Sequence, residues 1–277
     1  MGTGPFTCKL EEAMRALSIM YHDVVENGEF ESSGFPGEDA NVYKLRREDF
    51  EQQLEAIGIA AAKDTIATIA ERREWSGAAP VFLTFDDGGS TCSSVIAELL
   101  EKRGWRGHFF VTTGRIGQRG FVSEADVRDL HKRGHVIGSH SDSHPTRMAA
   151  LAQAQMDAEW RESLARLSGI IGKSVRVASV PGGYYSREVG VSAAAAGIQV
   201  LFTSEPTASA RVVDGCLILG RYVVMRGMGP RWAAGFAGGW RGPRWRQTAL
   251  WKAKGAAKAL GGSAYLRLRN AILERRA

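Results

Sequence analysis

Cysteine is scarce in this 277-residue chain: Cys8, Cys92 and Cys216 stand far apart, with no paired spacing. That argues against a structural zinc knuckle and suggests a reducing compartment. Long apolar runs are missing too. No stretch of 18 apolar residues occurs, so no transmembrane helix is expected. The opening residues, MGTGPFTCKLEEAM, lack the positive-then-apolar order of a secretory signal, and Phe6 breaks the myristoylation pattern. The expected location is cytoplasmic. No internal repeat is found. Acid is nearly absent from the end of the chain: residues 221–277 hold 13 Lys or Arg against Glu274 alone, a balance of +12. Residues 1–220 hold 23 basic and 29 acidic residues, a balance of −6. An acidic body with a basic tail suggests that the tail meets something anionic.

What is present reads as one large α/β unit. An apolar fraction of 44% and an aromatic fraction of 9% supply a sizeable core. Apolar strand-like runs (LSIMY, PVFLTF, GHFFV, HVIGS, VRVAS, QVLF, CLIL) alternate with helical patterns such as REDFEQQLEAIGIA and SEADVRDLHKRG. Such alternation predicts a parallel sheet flanked by helices, open or closed as a barrel. Residues 26–43 form a long Gly/Ser/acid-rich loop. In parallel α/β folds functional residues gather at the C-terminal strand ends. Those ends carry His22, Asp86 and Asp87, His140 and His144, the 181–185 stretch PGGYY, Ser204 and Glu205, and Arg221. His108, His131 and His135 are read as strand or helix surface positions.

The stretch VFLTFDDGGS ends a buried strand on two adjacent carboxylates. Adjacent buried carboxylates repel unless a cation offsets them. SHSDSH supplies His140 and His144 four apart, a spacing that reaches one cation from a helical turn. One carboxylate completes a 2-His-1-carboxylate set with open positions. The other remains beside the cation as a proton acceptor.

TFDDG together with HSDSH resembles the NodB-homology polysaccharide deacetylases of carbohydrate esterase family 4, over roughly residues 17–225. The resemblance implies a deformed (β/α)7 barrel over 1–225. It implies hydrolysis of N-acetyl groups from an amino-sugar polymer, with Asp86 as base and Asp87, His140 and His144 around a divalent cation, zinc first among them. The family's third motif usually reads like RPPYG; here it is SVPGGYYS, with Ser179 where Arg is expected and Gly182 where an aromatic is expected. Arg221 is the candidate substitute. Pro181, Gly182, Gly183 and Tyr184 are expected to bring a backbone N–H to the substrate and its oxyanion. The family's terminal LxHD strand is absent after Arg221, whereas MYHDV lies near the start. This is similar to circularly permuted biofilm poly-N-acetylglucosamine deacetylases. It makes His22 the acid for the leaving amine, with Asp23 in support, and suggests a place in exopolysaccharide biosynthesis. Two other readings stand beside this one: an amidohydrolase acting on a small N-acyl or cyclic amide, and an inactive barrel serving as a glycan-binding scaffold. Residues 226–277 are expected as a basic, Trp-containing helical extension. It either packs on the barrel or makes a peripheral contact with an anionic membrane. No nucleic-acid partner is expected.

Overall fold

The computed structural model describes residues 14–62, 64–71 and 77–253. Cys8, the first 13 residues and positions 254–277 of the tail lie outside the described residues.

Apolar runs become strands buried on both faces, as in a sheet covered by helices. The first strand is β1 (Leu17–Tyr21), followed by the short β2 (Val24–Val25) and β3 (Leu45–Arg46), which pair with each other. Between them lie a single helical turn, α1 (Glu38–Asn41), and the irregular remainder of 26–43. Then come α2 (Arg47–Ala60), β4 (Val81–Phe85), a π turn at Cys92–Ile96 running into α3 (Ala97–Glu101), and β5 (His108–Val111). Helix α4 (Glu124–Lys132) opens on a reciprocal cap between Ser123 and Asp126, and β6 (Val136–Ser139) follows. Helix α5 (Gln153–Ile171) starts later than its apolar pattern suggests, after a 3₁₀ turn at Met148–Ala150. The chain continues through β7 (Val177–Ser179), α6 (Arg187–Ala195), β8 (Val200–Phe202), β9 (Arg211–Val213), β10 (Cys216–Leu219) and β11 (Tyr222–Val223).

The sheet order is β11-β1-β4-β5-β6-β7-β8-β10-β9, parallel except for β9 against β10. The chain from 216 to 223 closes it. Its first half, β10, pairs with β8; its second half, β11, pairs with β1. The bend falls at Gly220, where a Cβ would sit 2.3 Å from the Glu205 carbonyl oxygen. Seven staves result: β1, β4, β5, β6, β7, β8 and the bent β10–β11 segment. This is the deformed (β/α)7 barrel.

Period-two alternation then decides what points inward. Phe82, Phe110, Val200, Phe202, Leu217 and Leu219 form one interior cluster. Burying a Phe contributes roughly 1.5–3 kcal/mol, so these rings are a large part of what holds the staves together. Continuing the same alternation upward carries Phe82 through Thr84 to Asp86, and Leu217 through Leu219 to Arg221. Both charged residues are thereby aimed into one end of the barrel.

The tail folds back. Helix α7 (Pro230–Ala237) packs against α2 and β1. A further helix, α8, runs from 241 to the end of the described residues at 253. Gln247 pairs with the backbone of Val223 in both directions, donating from Nε2 (2.8 Å) and accepting at Oε1 (3.0 Å). Arg244 Nε donates to the Tyr222 hydroxyl (2.8 Å), and Thr248 Oγ1 to the Pro206 carbonyl (2.8 Å).

Candidate active site

Register brings the strand ends to one rim: Tyr21 beside Phe85, Val111 beside Ser139, and Ser179 beside Phe202. The next residues of β1, β4 and β6 are His22, Asp86 and His140.

Asp86 is 2% exposed. The fully buried Arg221 meets it through two parallel bonds, Nη1 to Oδ1 (2.6 Å) and Nη2 to Oδ2 (2.8 Å). Ser179 Oγ donates a third bond to Oδ1 (3.2 Å). Arg221 is fixed in turn, its Nε donating to the Thr203 carbonyl (3.1 Å) and its Nη1 to Thr84 Oγ1 (3.3 Å). Burial pushes the Asp86 carboxyl up, but the Arg221 guanidinium, with His140, overcomes that and holds it below its ordinary value. Oδ2 carries one bond and lies 3.9 Å from His140 Nε2, so it is the oxygen that faces His140.

Asp87 breaks the alternation. Its φ of 74° is left-handed, and this turns its carboxylate toward the same histidines. Oδ1 lies 3.4 Å from Nε2 of both His140 and His144. The histidines do not share a helical turn, as the spacing had suggested. They flank a loop in which Ser141 and His144 are both left-handed, at φ 63° and 61°. Side chains take up the loop's backbone donors: Glu159 accepts from Asp142 N and Ser143 N, and Ser141 Oγ from His144 N. His140 Nδ1 lies 2.6 Å from Ser179 Oγ. Since that hydroxyl gives its proton to Asp86, Nδ1–H donates to it and the Nε2 lone pair faces Asp87.

One ligand atom from each of Asp87, His140 and His144 falls within 4.8 Å of the others. Burial raises the Asp87 carboxyl, yet the imidazoles gathered around it, His140 and His144 first, leave it well below its ordinary value. Burial lowers His144, but Asp87 leaves it raised. An anionic oxygen held between two imidazole nitrogens is a donor set that suits one divalent cation.

Residues 76–201 match the family model described as "Polysaccharide deacetylase". Residues 76–201 thus carry a polysaccharide deacetylase domain. It is 28% identical to the Bacillus subtilis (strain 168) protein YxkH over 148 residues, 53% of this chain and 52% of that one. It is 37% identical to a chitin deacetylase of Arthroderma benhamiae over 65 residues, 23% of this chain and 17% of that one. The chain thus spans about half of the first of these relatives and less of the second. Its fold is similar to that of IcaB from Ammonifex degensii, with a TM-score of 0.65 at 20% identity, over 82% of this chain and 98% of that one. It is also similar to the Streptococcus pyogenes deacetylase PplD in complex with acetate, with a TM-score of 0.63 at 18% identity, over 79% and 96%.

The barrel places the other expected residues unevenly. His22 follows β1 at the rim, near enough for the Asp87 and Asp86 carboxylates to act on its ring through space. Burial lowers its pKa more than those carboxylates raise it. The ring rests on Tyr43 at 4.7 Å, and among the described residues its Nδ1 has no hydrogen-bond partner. Asp23 turns away. Its Oδ1 accepts from Ser33 Oγ (2.7 Å) and Thr91 Oγ1 (3.1 Å), tying the 26–43 loop to the start of the π turn, and no bond to His22 forms. Burial raises its carboxyl to about 6. Pro181–Gly183 is a 3₁₀ turn, with Gly182 at φ 65°. A Cβ on Gly182 would sit 2.3 Å from the Thr146 carbonyl oxygen, and one on Gly183 would meet Ser204 Oγ at 3.3 Å. This is why an aromatic cannot stand at 182. The turn is wedged between the loops that follow β6 and β8, and Tyr184 lies under the Arg147 guanidinium at 4.9 Å.

Two histidines were misplaced by the sequence reading. His108 and His135 are buried rather than on element surfaces. Each serves the backbone: His108 Nε2 accepts from Ile69 N (3.0 Å), and His135 Nδ1 from Gly107 N (3.1 Å). Three site residues escaped the sequence reading. Ser179, noted there only as a missing Arg, bridges His140 and Asp86. Thr203 anchors Arg221. Phe35 packs 4.8 Å from the His144 ring and 5.1 Å from Phe121, forming a wall of the site from within the long loop. Their signals were weak: strand-end hydroxyls, and an aromatic inside SSGFPG.

Proposed function

We propose that this chain hydrolyses N-acetyl groups on an amino-sugar-containing polysaccharide or its precursor, and that it does so with a divalent cation. The observation that carries the reading is the bidentate Arg221–Asp86 pair set beside the Asp87, His140 and His144 trio. Zinc is the cation that two imidazoles and a carboxylate suit. When bound, it supplies Lewis acidity at the amide carbonyl.

The chain's own residues handle protons. Asp86, kept ionised by Arg221, takes a proton from the attacking water at Oδ2, the oxygen that faces His140. His22 gives a proton to the amide nitrogen as the C–N bond breaks, so acetate and the free amine leave. Burial favours the neutral imidazole, whereas the Asp87 and Asp86 carboxylates favour the imidazolium that a donor needs. Those carboxylates therefore set how much of it exists. Supplying this acid from β1, a neighbour of both β4 and the last stave, fits a circularly permuted barrel. Gly182 and Gly183, with no side chain to intervene, let the 181–184 backbone approach the substrate. Phe35 and Tyr184 give flat apolar faces suited to sugar rings. The test is acetate release from N-acetylated glucosamine oligomers by zinc- or cobalt-loaded protein. Release that vanishes with chelation and returns with metal is expected. Uptake of the metal without acetate release from any oligomer would contradict the reading.

A further inference from the structure

Six large apolar side chains are markedly exposed among the described residues, and four of them fall within a dozen positions: Trp240 (45%), Trp245 (73%), Leu250 (54%) and Trp251 (42%). The sequence allowed a tail whose tryptophans pack on the barrel. Trp232 of α7 does pack there, but α8 is tied down by polar groups and turns Trp245 and Leu250 outward. Arg244, Gln247 and Thr248 bind Tyr222, Val223 and Pro206. At about 100° per residue, Trp245, Arg246, Ala249 and Leu250 then occupy the opposite half of the helix.

Charge gathers on the flank of α8 beside that face, on the side of Trp245. Residues 226–253 contain six Lys or Arg and no Asp or Glu. Beside α8 lies a cleft of about 730 Å³, lined by Arg15, Arg241, Arg244, Lys252, Trp245 and Trp251. Glu205 is the acidic side chain at its wall among the described residues, and Arg211 holds it at 2.8 Å. The cleft's other wall, 205–209, starts next to Ser204, which faces Gly183 at the rim of the candidate active site.

We propose that this face docks on an anionic phospholipid bilayer. The cationic cleft receives phosphate headgroups, and Trp240, Trp245 and Leu250 lie in the interfacial layer. Charge complementarity names the anion. Leu250 separates a lipid from the alternatives, because a leucine neither stacks on nucleobases nor forms a platform for sugars, but it does bury readily among acyl chains. Placing the rim beside a membrane suits a lipid-carried substrate, yet the docking stands without any catalytic reading.

The test uses the full chain with vesicles of phosphatidylcholine alone and of phosphatidylcholine with 30% phosphatidylglycerol. Co-sedimentation is measured at low and high NaCl. Binding is expected with the anionic vesicles only, and should weaken strongly with salt. Arg241→Gln with Lys252→Gln should reduce the partition by about tenfold or more, as two interfacial cations predict. Trp245→Ser with Leu250→Ser should reduce it at both salt levels. Because both side chains are exposed, thermal melting should be unchanged, and that measurement guards against misfolding. No sedimentation with anionic vesicles, equal sedimentation with neutral ones, or two double variants that bind like the parent would each overturn the proposal. So would binding abolished by competing single-stranded DNA while the Leu250 change has no effect.

Discussion

Strands β1 and β4 are neighbours and end alike, in His22–Asp23 and Asp86–Asp87, but they treat their carboxylates in opposite ways. Asp23 and Asp86 are equally buried, at 1% and 2% exposure. Asp86 sits in a guanidinium fork and lies below its ordinary value, whereas Asp23 has two hydroxyl donors and is raised to about 6. Lys44 reaches Asp23 only through space, its Nζ donating instead to the Phe30 carbonyl. Burial is thus the common background, and the geometry of the partner decides the charge. The same contrast separates Asp86 from His22: Asp86 is held by three hydrogen bonds, while among the described residues His22 Nδ1 has no partner.

The comparison breaks most sharply at Asp86 itself. Asp86→Asn keeps the shape and removes the base, so acetate release should fall about 100- to 10,000-fold. Steady-state rates at matched cation content measure this, and equal rates would make Asp86 a turn residue only. Arg221→Met leaves Asp86 buried without its partner, the condition of Asp23 made worse. Unfolding in urea at pH 7 should show a loss of about 3–5 kcal/mol. Arg221→Lys should recover only part of that, since an ammonium cannot form the fork.

Ser179→Ala tests whether the hydroxyl between His140 and Asp86 orients the ligand. Cation affinity should drop about 10- to 100-fold in a competition titration. An unchanged affinity would reduce Ser179 to packing. A further effect belongs to β1. The folded value of Asp23 lies above its unfolded one, so its charge destabilises the fold. The cost is absent below about pH 4, grows as pH rises, and is complete above about pH 6, reaching up to about 3 kcal/mol. Asp23→Asn should remove that decline, read as melting temperature against pH. A parallel decline in parent and variant would mean that the carboxyl is solvated.

Much of this site was legible because chemistry was local. The paired aspartates, the two histidines four apart and the strand-end Arg221 each follow an apolar run that fixes where the rim must be. Alternation along 82–86 and 217–221 even implies that Asp86 and Arg221 point inward together. What stayed hidden was reached only through folding back. Asp87 turns by a positive φ that no neighbouring residue announces. His108 looked like a strand surface because both faces of β5 are buried. Phe35 enters from a loop without periodicity. In the tail, the mixture of Trp and Arg showed a special helix but not which side would be anchored; Gln247 and Thr248, unremarkable as letters, decide it by binding the barrel.

Division of labour between the adjacent aspartates is the central claim, and cation content tests it most directly. Parent, Asp86→Asn and Asp87→Asn proteins are loaded with zinc, passed through gel filtration and measured by elemental analysis side by side. One ion per chain is predicted for the parent and for Asp86→Asn, and none for Asp87→Asn. An Asp86→Asn protein that loses its ion while Asp87→Asn keeps one, or a parent that takes up neither zinc, cobalt nor nickel, would contradict the account.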